Sequence, residues 1–361
     1  MSRIVSIKTK SIETPMILGI KTTYGSWASQ PHVIVKLTTE EGISGFGESS
    51  PLGFFTGETS EMVKMVIDTI LSKIVLERDP FDIESILESM DHELPKNTSS
   101  KVAIDMALYD LMGKMLGVPV YKLLGGRCRE KVFSATAVGI GSPDQMKAEA
   151  KDWVEKGFKT LKVKIGIDPK TDERSIAAIR EAVGEEIRIR VDANQGYSPS
   201  TAIQVGRRIE RYGIEYIEQP VPAWNIEGLA QVRRAVSIPI AADESLYTLH
   251  DALRLIKAEA VDIFGIKMIK TGGLARAKKI AHLAEAAGIE CVVISPIETT
   301  LGTAAGTHWA MSVKNANLDH ELVGPIFIRN DPFTGVQIEK NSMGISEKPG
   351  FGVSPLVEDF L

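Results

Sequence analysis

Cysteine is scarce in this chain of 361 residues: only Cys128 and Cys291 occur, far apart in sequence, which excludes a disulfide framework and a thiolate zinc site. That usage fits a reducing cytoplasm. Long apolar runs are lacking too. None reaches the roughly 18 residues of a membrane-spanning helix, and the N-terminal Met1-Ser2-Arg3-Ile4-Val5-Ser6-Ile7 turns polar at once. There is no basic excess; 42 Lys and Arg against 47 Asp and Glu leave a net charge of −5, which argues against a nucleic-acid or anionic-membrane surface. No Gly-x-Gly-x-x-Gly follows an apolar run, which counts against a dinucleotide site. What remains is an ordinary globular composition, 43% apolar and 25% charged, with small molecules as the expected partners.

Residues 4–50 alternate in the manner of strands and contain a hairpin-like Thr39-Glu40-Glu41-Gly42-Ile43-Ser44-Gly45-Phe46-Gly47. From about residue 60 to 116 apolar residues recur at helical spacing, among them Ala103, Met106, Ala107, Leu111 and Met115, and Gly117-Val118-Pro119 supplies a stop. An α+β domain over 1–125 is expected. After Gly125-Gly126, short apolar runs alternate with amphipathic helices, the pattern of βα units around a parallel sheet. The runs lie near 133–138, 160–165, 187–191, 214–217, 238–242, 261–266, 290–294 and 318–323. Eight of them predict a (β/α) barrel over 126–324, with 325–361 folding back onto the first domain.

In Thr160-Leu161-Lys162-Val163-Lys164, a strand sends both lysines to one interior. Two like charges in a poorly solvated place lower each other's proton affinity, so the pair predicts a lysine able to act as a base near neutral pH. The third, fourth and fifth runs end in Asp192, Glu218 and Asp243, spaced by 26 and 25 residues, one βα unit each. Barrel enzymes place their chemistry at the C-terminal ends of strands, and three convergent carboxylates make an oxygen site suited to Mg²⁺. Uncompensated, they would repel one another. Lys267 ends the sixth run, across the barrel from Lys162 and Lys164, and Gly272-Gly273 follows it.

With these features the chain resembles the enolase superfamily, in particular its muconate lactonizing enzyme subgroup, over essentially its full length. The resemblance implies a modified TIM barrel with an N-terminal capping domain that the C-terminal segment completes. It implies Mg²⁺, with Mn²⁺ as a substitute, on Asp192, Glu218 and Asp243, and stabilisation of an enediolate formed from a substrate carboxylate. Lys164 and Lys267 would be acid/base catalysts on opposite faces of the α-carbon, with Lys162 as electrostatic support. Asn194, Gln219 and Glu244 would orient the acids through hydrogen bonds. A homo-oligomer acting on a small-molecule carboxylate is expected. None of His32, His92, His250, His282, His308 and His320 takes the place of a mandelate-racemase-type catalytic histidine.

In such enzymes the capping loops and the eighth-strand end choose the substrate. Here they are residues 22–30, 51–57 and 319–321. Tyr24, Trp27, Phe54 and Phe55 could form an aromatic lid, and Glu298, Asp319 and Glu321 complete the expected substrate-binding set. Asp319-x-Glu321 approximates the Asp-x-Asp of dipeptide epimerases, whereas Glu321-Leu322-Val323-Gly324-Pro325 is similar to muconate cycloisomerases. Acids beside the site favour an amino or ammonium group over a dicarboxylate. A racemase or epimerase of an amino-acid-derived carboxylate is therefore expected, with a cycloisomerase, a dehydratase or a carboxylate-binding barrel as alternatives.

Overall fold

The structure, a computed structural model, describes residues 2–17, 19–357 and 360–361. Ile4–Pro15, Ser29–Thr39 and Ser44–Ser49 form an antiparallel meander in that order. The helix Thr98–Leu116 lies on this sheet and ends at Gly117, which takes the left-handed φ of 69°. Two glycines permit the close approach. A Cβ on Gly47 would lie 1.9 Å from the Ala103 carbonyl oxygen, and one on Gly45 would lie 2.3 Å from that of Ala107.

Seven parallel strands follow, neighbours in chain order: Thr136–Val138, Thr160–Lys164, Arg188–Asp192, Ile214–Glu218, Ile240–Ala242, Ile263–Ile266 and Glu290–Val293. The eighth run, 318–323, departs from expectation because it is not a regular strand. Its backbone still closes the barrel: His320 N donates to Phe133 O (2.8 Å), Ala135 N to His320 O (2.6 Å) and Glu321 N to Val293 O (2.8 Å). Side chains take the remaining ladder positions. Val293 N donates to His320 Nδ1 (3.0 Å) and Leu322 N to Ser134 Oγ (2.9 Å), so a continuous main-chain ladder does not form.

The barrel helices start on local signals. Ser142, Asp168 and Ser198 each accept from the backbone of the next turn with proline at the helix start, and Asn225 and Thr248 cap the following two. Leu274–Ala286 has no side-chain cap of its own, because Gly273 precedes it. Asp105, from the long helix of the N-terminal unit, accepts instead from Leu274 N at 2.6 Å. Glu48, from the meander, accepts from Thr299 N and Gly302 N at 2.8 Å each, at the start of Thr300–Ser312. These two acids fasten the N-terminal unit to the barrel beside its sixth and seventh strands. Asp110 accepts from Phe46 N and Phe351 N, both at 2.8 Å, and so holds the C-terminal segment against the same unit. No described helix is long and apolar enough to cross a membrane.

Buried histidines give the fold a pH dependence. Burial holds His308 down to about 4, and it holds His320 down to about 3 with Arg129 and Arg190 adding to it. His308 Nδ1 accepts from Tyr121 N (3.1 Å), so Nε2 carries the proton toward Phe351 O (3.2 Å). In the unfolded chain both rings titrate near ~6.5. Between these values the unfolded state binds more protons, so stability present above pH ~6.5 is lost as pH falls. The expected loss is about 2 kcal/mol for each ring on going to pH ~5, read as the change in urea midpoint of wild type beyond that of a variant with both rings replaced by glutamine, which keeps the opposite contribution of Glu244 and Glu298, held up to about 7 and about 8. Equal changes in the two proteins would contradict it.

Candidate active site

Lys162 and Lys164 both point into the barrel, at different depths. Lys162 Nζ lies 2.7 Å from Glu218 Oε1, 3.1 Å from Asp192 Oδ2 and 2.9 Å from Glu321 Oε1. Lys164, nearer the mouth, donates to Asp192 Oδ2 at 2.6 Å and to Asn194 Oδ1 at 3.4 Å. On the sixth strand's end Lys267 donates to Asp243 Oδ2 at 2.7 Å, and Lys270, one helical turn on, donates to the other oxygen of Asp243.

The expected mutual depression of the lysine pair is corrected for Lys162. Burial does pull it down, but Asp192, Glu218 and Glu321 together hold it well above the ordinary lysine range. The acids divide unequally. Burial opposes ionisation of all three, yet Lys162 and Lys164 hold Asp192 well below the carboxylate range, and Lys267 and Lys270 do so for Asp243. Glu218, pressed by burial and by Asp192, is pushed well above its ordinary value.

Asp192 and Glu218 are in register on neighbouring strands, and Asp243 follows the next. Among the described residues no three acids stand with their oxygens open to one ion, because lysines donate into them. The donor set nevertheless fits a hard divalent cation: it is all carboxylate, buried, and leaves Glu218 Oε2 without a partner. Beside these acids the backbone turns sharply. Asn194 (φ 39°) and Gln219 (φ 35°) adopt the left-handed region. Asn194 N donates to Asp192 Oδ1 at 2.9 Å, and Gln219 Oε1 accepts from Asp243 N and Ser245 N at 3.1 Å each. Glu244 accepts from Asn194 Nδ2 at 3.1 Å; burial and the neighbouring Asp243 push it up to about 7.

Lys164, Lys267, Asn194 and Glu321 line one cavity with the four lid aromatics. Tyr24 stacks on Phe54 (centroids 4.9 Å), which touches Trp27 (5.5 Å) and Phe55 (4.7 Å). Tyr24 OH donates to Glu244 Oε1 at 2.7 Å and accepts from Gln195 Nε2 at 2.5 Å, so a capping loop is latched to the barrel. The Phe55 ring lies over Lys267, with Nζ 3.9 Å from its centroid.

Two expected substrate residues lie elsewhere. Asp319 accepts from Thr160 Oγ1 (2.7 Å) and Arg188 Nη2 (2.5 Å), where the second and third strands begin, at the opposite end of the barrel from the mouth. Glu298 is buried behind Ser295, whose hydroxyl it accepts; burial pushes it up to about 8. Val323 takes the rim position instead and Ser295 lines the cavity unforeseen, while Lys270 and Gln195 join behind it through Asp243 and Tyr24. Lys270 had a signal in Lys267-x-x-Lys270, the spacing of one helical turn.

This arrangement of two lysines over three strand-end acids, under a capping unit, is that of an enolase-type barrel. Residues 145–359 match the family described as Enolase C-terminal domain-like, and residues 5–125 match the Mandelate racemase / muconate lactonizing enzyme, N-terminal domain. The chain belongs to the enolase superfamily, in its muconate lactonizing enzyme subgroup. It is 38% identical to the L-Ala-D/L-Glu epimerase of Clostridium acetobutylicum over 95% of this chain and 96% of that protein. With the N-succinyl-L-Arg/Lys racemase of Bacillus cereus it shares 37% identity over 97% of this chain and 95% of that one. The dipeptide epimerase of Enterococcus faecalis, solved with Mg and the dipeptide L-Leu-L-Tyr, superposes with a TM-score of 0.95 at 36% identity, covering 98% and 99% of the two chains.

Proposed function

We propose that this chain is a Mg²⁺-dependent racemase or epimerase that removes and returns the α-proton of an amino-acid-derived carboxylate. The observation that carries the reading is that Lys164 and Lys267, from strands across the barrel, line one cavity while each is anchored to its own buried carboxylate. One lysine takes the α-proton from its face, and the other, as an ammonium, delivers a proton to the opposite face. Asp192, Glu218 and Asp243 would hold Mg²⁺, or Mn²⁺ in its place; the bound ion supplies positive charge to the substrate carboxylate as the α-proton leaves. Lys162 keeps the acid cluster neutralised from below. Asn194, Gln219 and Glu244 fix the acids, and the aromatic lid excludes water from the reacting carbon. Residues 126–324 form the catalytic unit, with 1–125 and 325–361 as its cap. Two free thiols fit a reducing cytoplasm.

Chiral chromatography of N-acylamino acids and dipeptides incubated with protein and Mg²⁺ tests the reading. Inversion at the α-carbon is expected; turnover of muconate with no inversion in the panel would replace it with cycloisomerisation.

Phe55 provides a finer prediction. Phe55→Leu keeps an apolar lid but removes the ring face from the Lys267 ammonium, a contact of about 1–2 kcal/mol when desolvated. Without the ring the ammonium is less favoured and Lys267 gives up its proton more easily, so the pH profile of exchange from the epimer it serves is expected to move to lower pH by roughly one unit relative to that of the other epimer. Profiles that stay together would show that Phe55 only packs.

A further inference from the structure

The turn that follows the third barrel strand is strained, and the lid grips it. Asn194 and Gln195 are successive non-glycine residues in the left-handed region, at φ 39° and 67°. Such backbone persists only where its surroundings impose it. Thr23 and Tyr24 of the capping loop are part of those surroundings. Thr23 Oγ1 donates to Asn194 O at 3.0 Å, and Gln195 donates through Nε2 to Tyr24 OH while its Oε1 accepts from Ala223 N at 2.7 Å. A Cβ on Gly166, two residues beyond Lys164, would lie 2.4 Å from Ala193 O and 3.1 Å from Thr23 Cγ2, so the lid, the turn and the end of the Lys164 strand pack as one body.

A chain of hydrogen bonds leads from this lid to one lysine. Tyr24 OH donates to Glu244 Oε1 at 2.7 Å, and the same oxygen accepts from Asn194 Nδ2 at 3.1 Å. The Asn194 carboxamide is thereby turned so that its Oδ1 faces Lys164 Nζ at 3.4 Å. Reversed, it would set N–H groups against an ammonium and its oxygen against that of Glu244, both repulsive. Asp192, the other acceptor for Lys164, belongs to the proposed metal set, so Asn194 is the partner outside that set. Among the described residues Lys267 donates to Asp243 alone, and the lid meets it through the Phe55 ring instead of a hydrogen bond.

We infer that Tyr24 is a positioning residue for Lys164: the docked lid, acting through Glu244 and Asn194, aims one of the two lysines and leaves the other to separate supports. The inference rests on the two-face chemistry proposed above and adds that lid docking completes one face only.

Tyr24→Phe keeps the ring that stacks on Phe54 and meets Phe55 edge-on, and removes only the hydroxyl. Loss of the leucine α-proton signal in D₂O with Mg²⁺, from the L and D epimers of N-acetyl-leucine and of the leucine in L-alanyl-leucine, gives kcat/KM for each face. Lys164→Ala marks the epimer that Lys164 serves. In Tyr24→Phe that epimer is expected to lose about tenfold in kcat/KM while the other changes by less than about twofold. Equal losses from both epimers, or none from either, overturn the inference and leave the α-proton reading standing. Asn194→Gly suits the left-handed backbone and cuts the chain at its last link, so adding Tyr24→Phe to it is expected to cost nothing more. A second loss of about tenfold in that double variant would show that Tyr24 does not act through Asn194, and also overturns the inference. No exchange by the wild type from any of the four compounds overturns both.

Discussion

Lys162→Met is expected to lower the unfolding free energy of the metal-free protein by about 3–5 kcal/mol, the cost of breaking a buried ion pair by removing one partner. Lys162 is 1% exposed and stands between Asp192, Glu218 and Glu321, so its loss leaves Glu218 and Glu321 in a dry space without their cation and Asp192 with Lys164 alone. The penalty should grow as pH rises. Glu218 is already disposed to hold a proton, and lower pH lets the cluster discharge itself. Mg²⁺ should recover a large part of the loss, because a cation bound by Asp192 and Glu218 replaces the missing charge. Urea unfolding of wild type and variant, each with chelator and with Mg²⁺, checks the prediction. A variant as stable as wild type in chelator, or one that Mg²⁺ does not help, would contradict the charge balance described for the site.

Lys164→Ala and Lys267→Ala are each expected to lower the rate of inversion by about 10²–10⁴-fold, the contribution of a positioned general acid or base. On the proposed two-face chemistry, inversion needs both lysines, whereas wash-out of the α-proton needs only the one on the proton's own face. Each variant should therefore retain exchange from one epimer and lose it from the other, in opposite senses. Time courses of deuterium incorporation into the two separate epimers read this directly. Parallel losses in both variants would mean that the two lysines do not act on opposite faces.

Much of this site was legible in the sequence because barrel geometry converts simple spacing into position. Period two put Lys162 and Lys164 on one face, and one acid per βα unit put Asp192, Glu218 and Asp243 at one end. Same-face residues on a strand also differ in depth, by roughly 7 Å for each step of two. That depth was not visible. Lys162 belongs with the acids below the cavity and Lys164 with its wall, a division that the alternation alone does not make. Along the closing segment, the column of 319, 321 and 323 runs from the far end of the barrel to the mouth, so Glu321 and Val323 meet the cavity while Asp319 meets Arg188. The irregular backbone there, where His320 and Ser134 side chains occupy ladder positions, removed the regular pattern that would have fixed the register. Charge surroundings were hidden for the same reason. The pair of lysines suggested mutual repulsion, but three carboxylates brought from three other segments reverse its effect on Lys162. The capping contacts of Asp105 and Glu48 join residues 169 and 251 positions apart, a range at which local patterns say nothing.

In the proposed reaction an α-proton passes between this protein's lysines and its substrate. Proton NMR in D₂O of both epimers of N-acylamino acids and dipeptides, with Mg²⁺ and with chelator, measures it most directly. Deuterium is expected at the α-carbon of substrate and product alike with Mg²⁺, and none with chelator. Substrate consumed by the protein while its α-carbon keeps the original proton would contradict it.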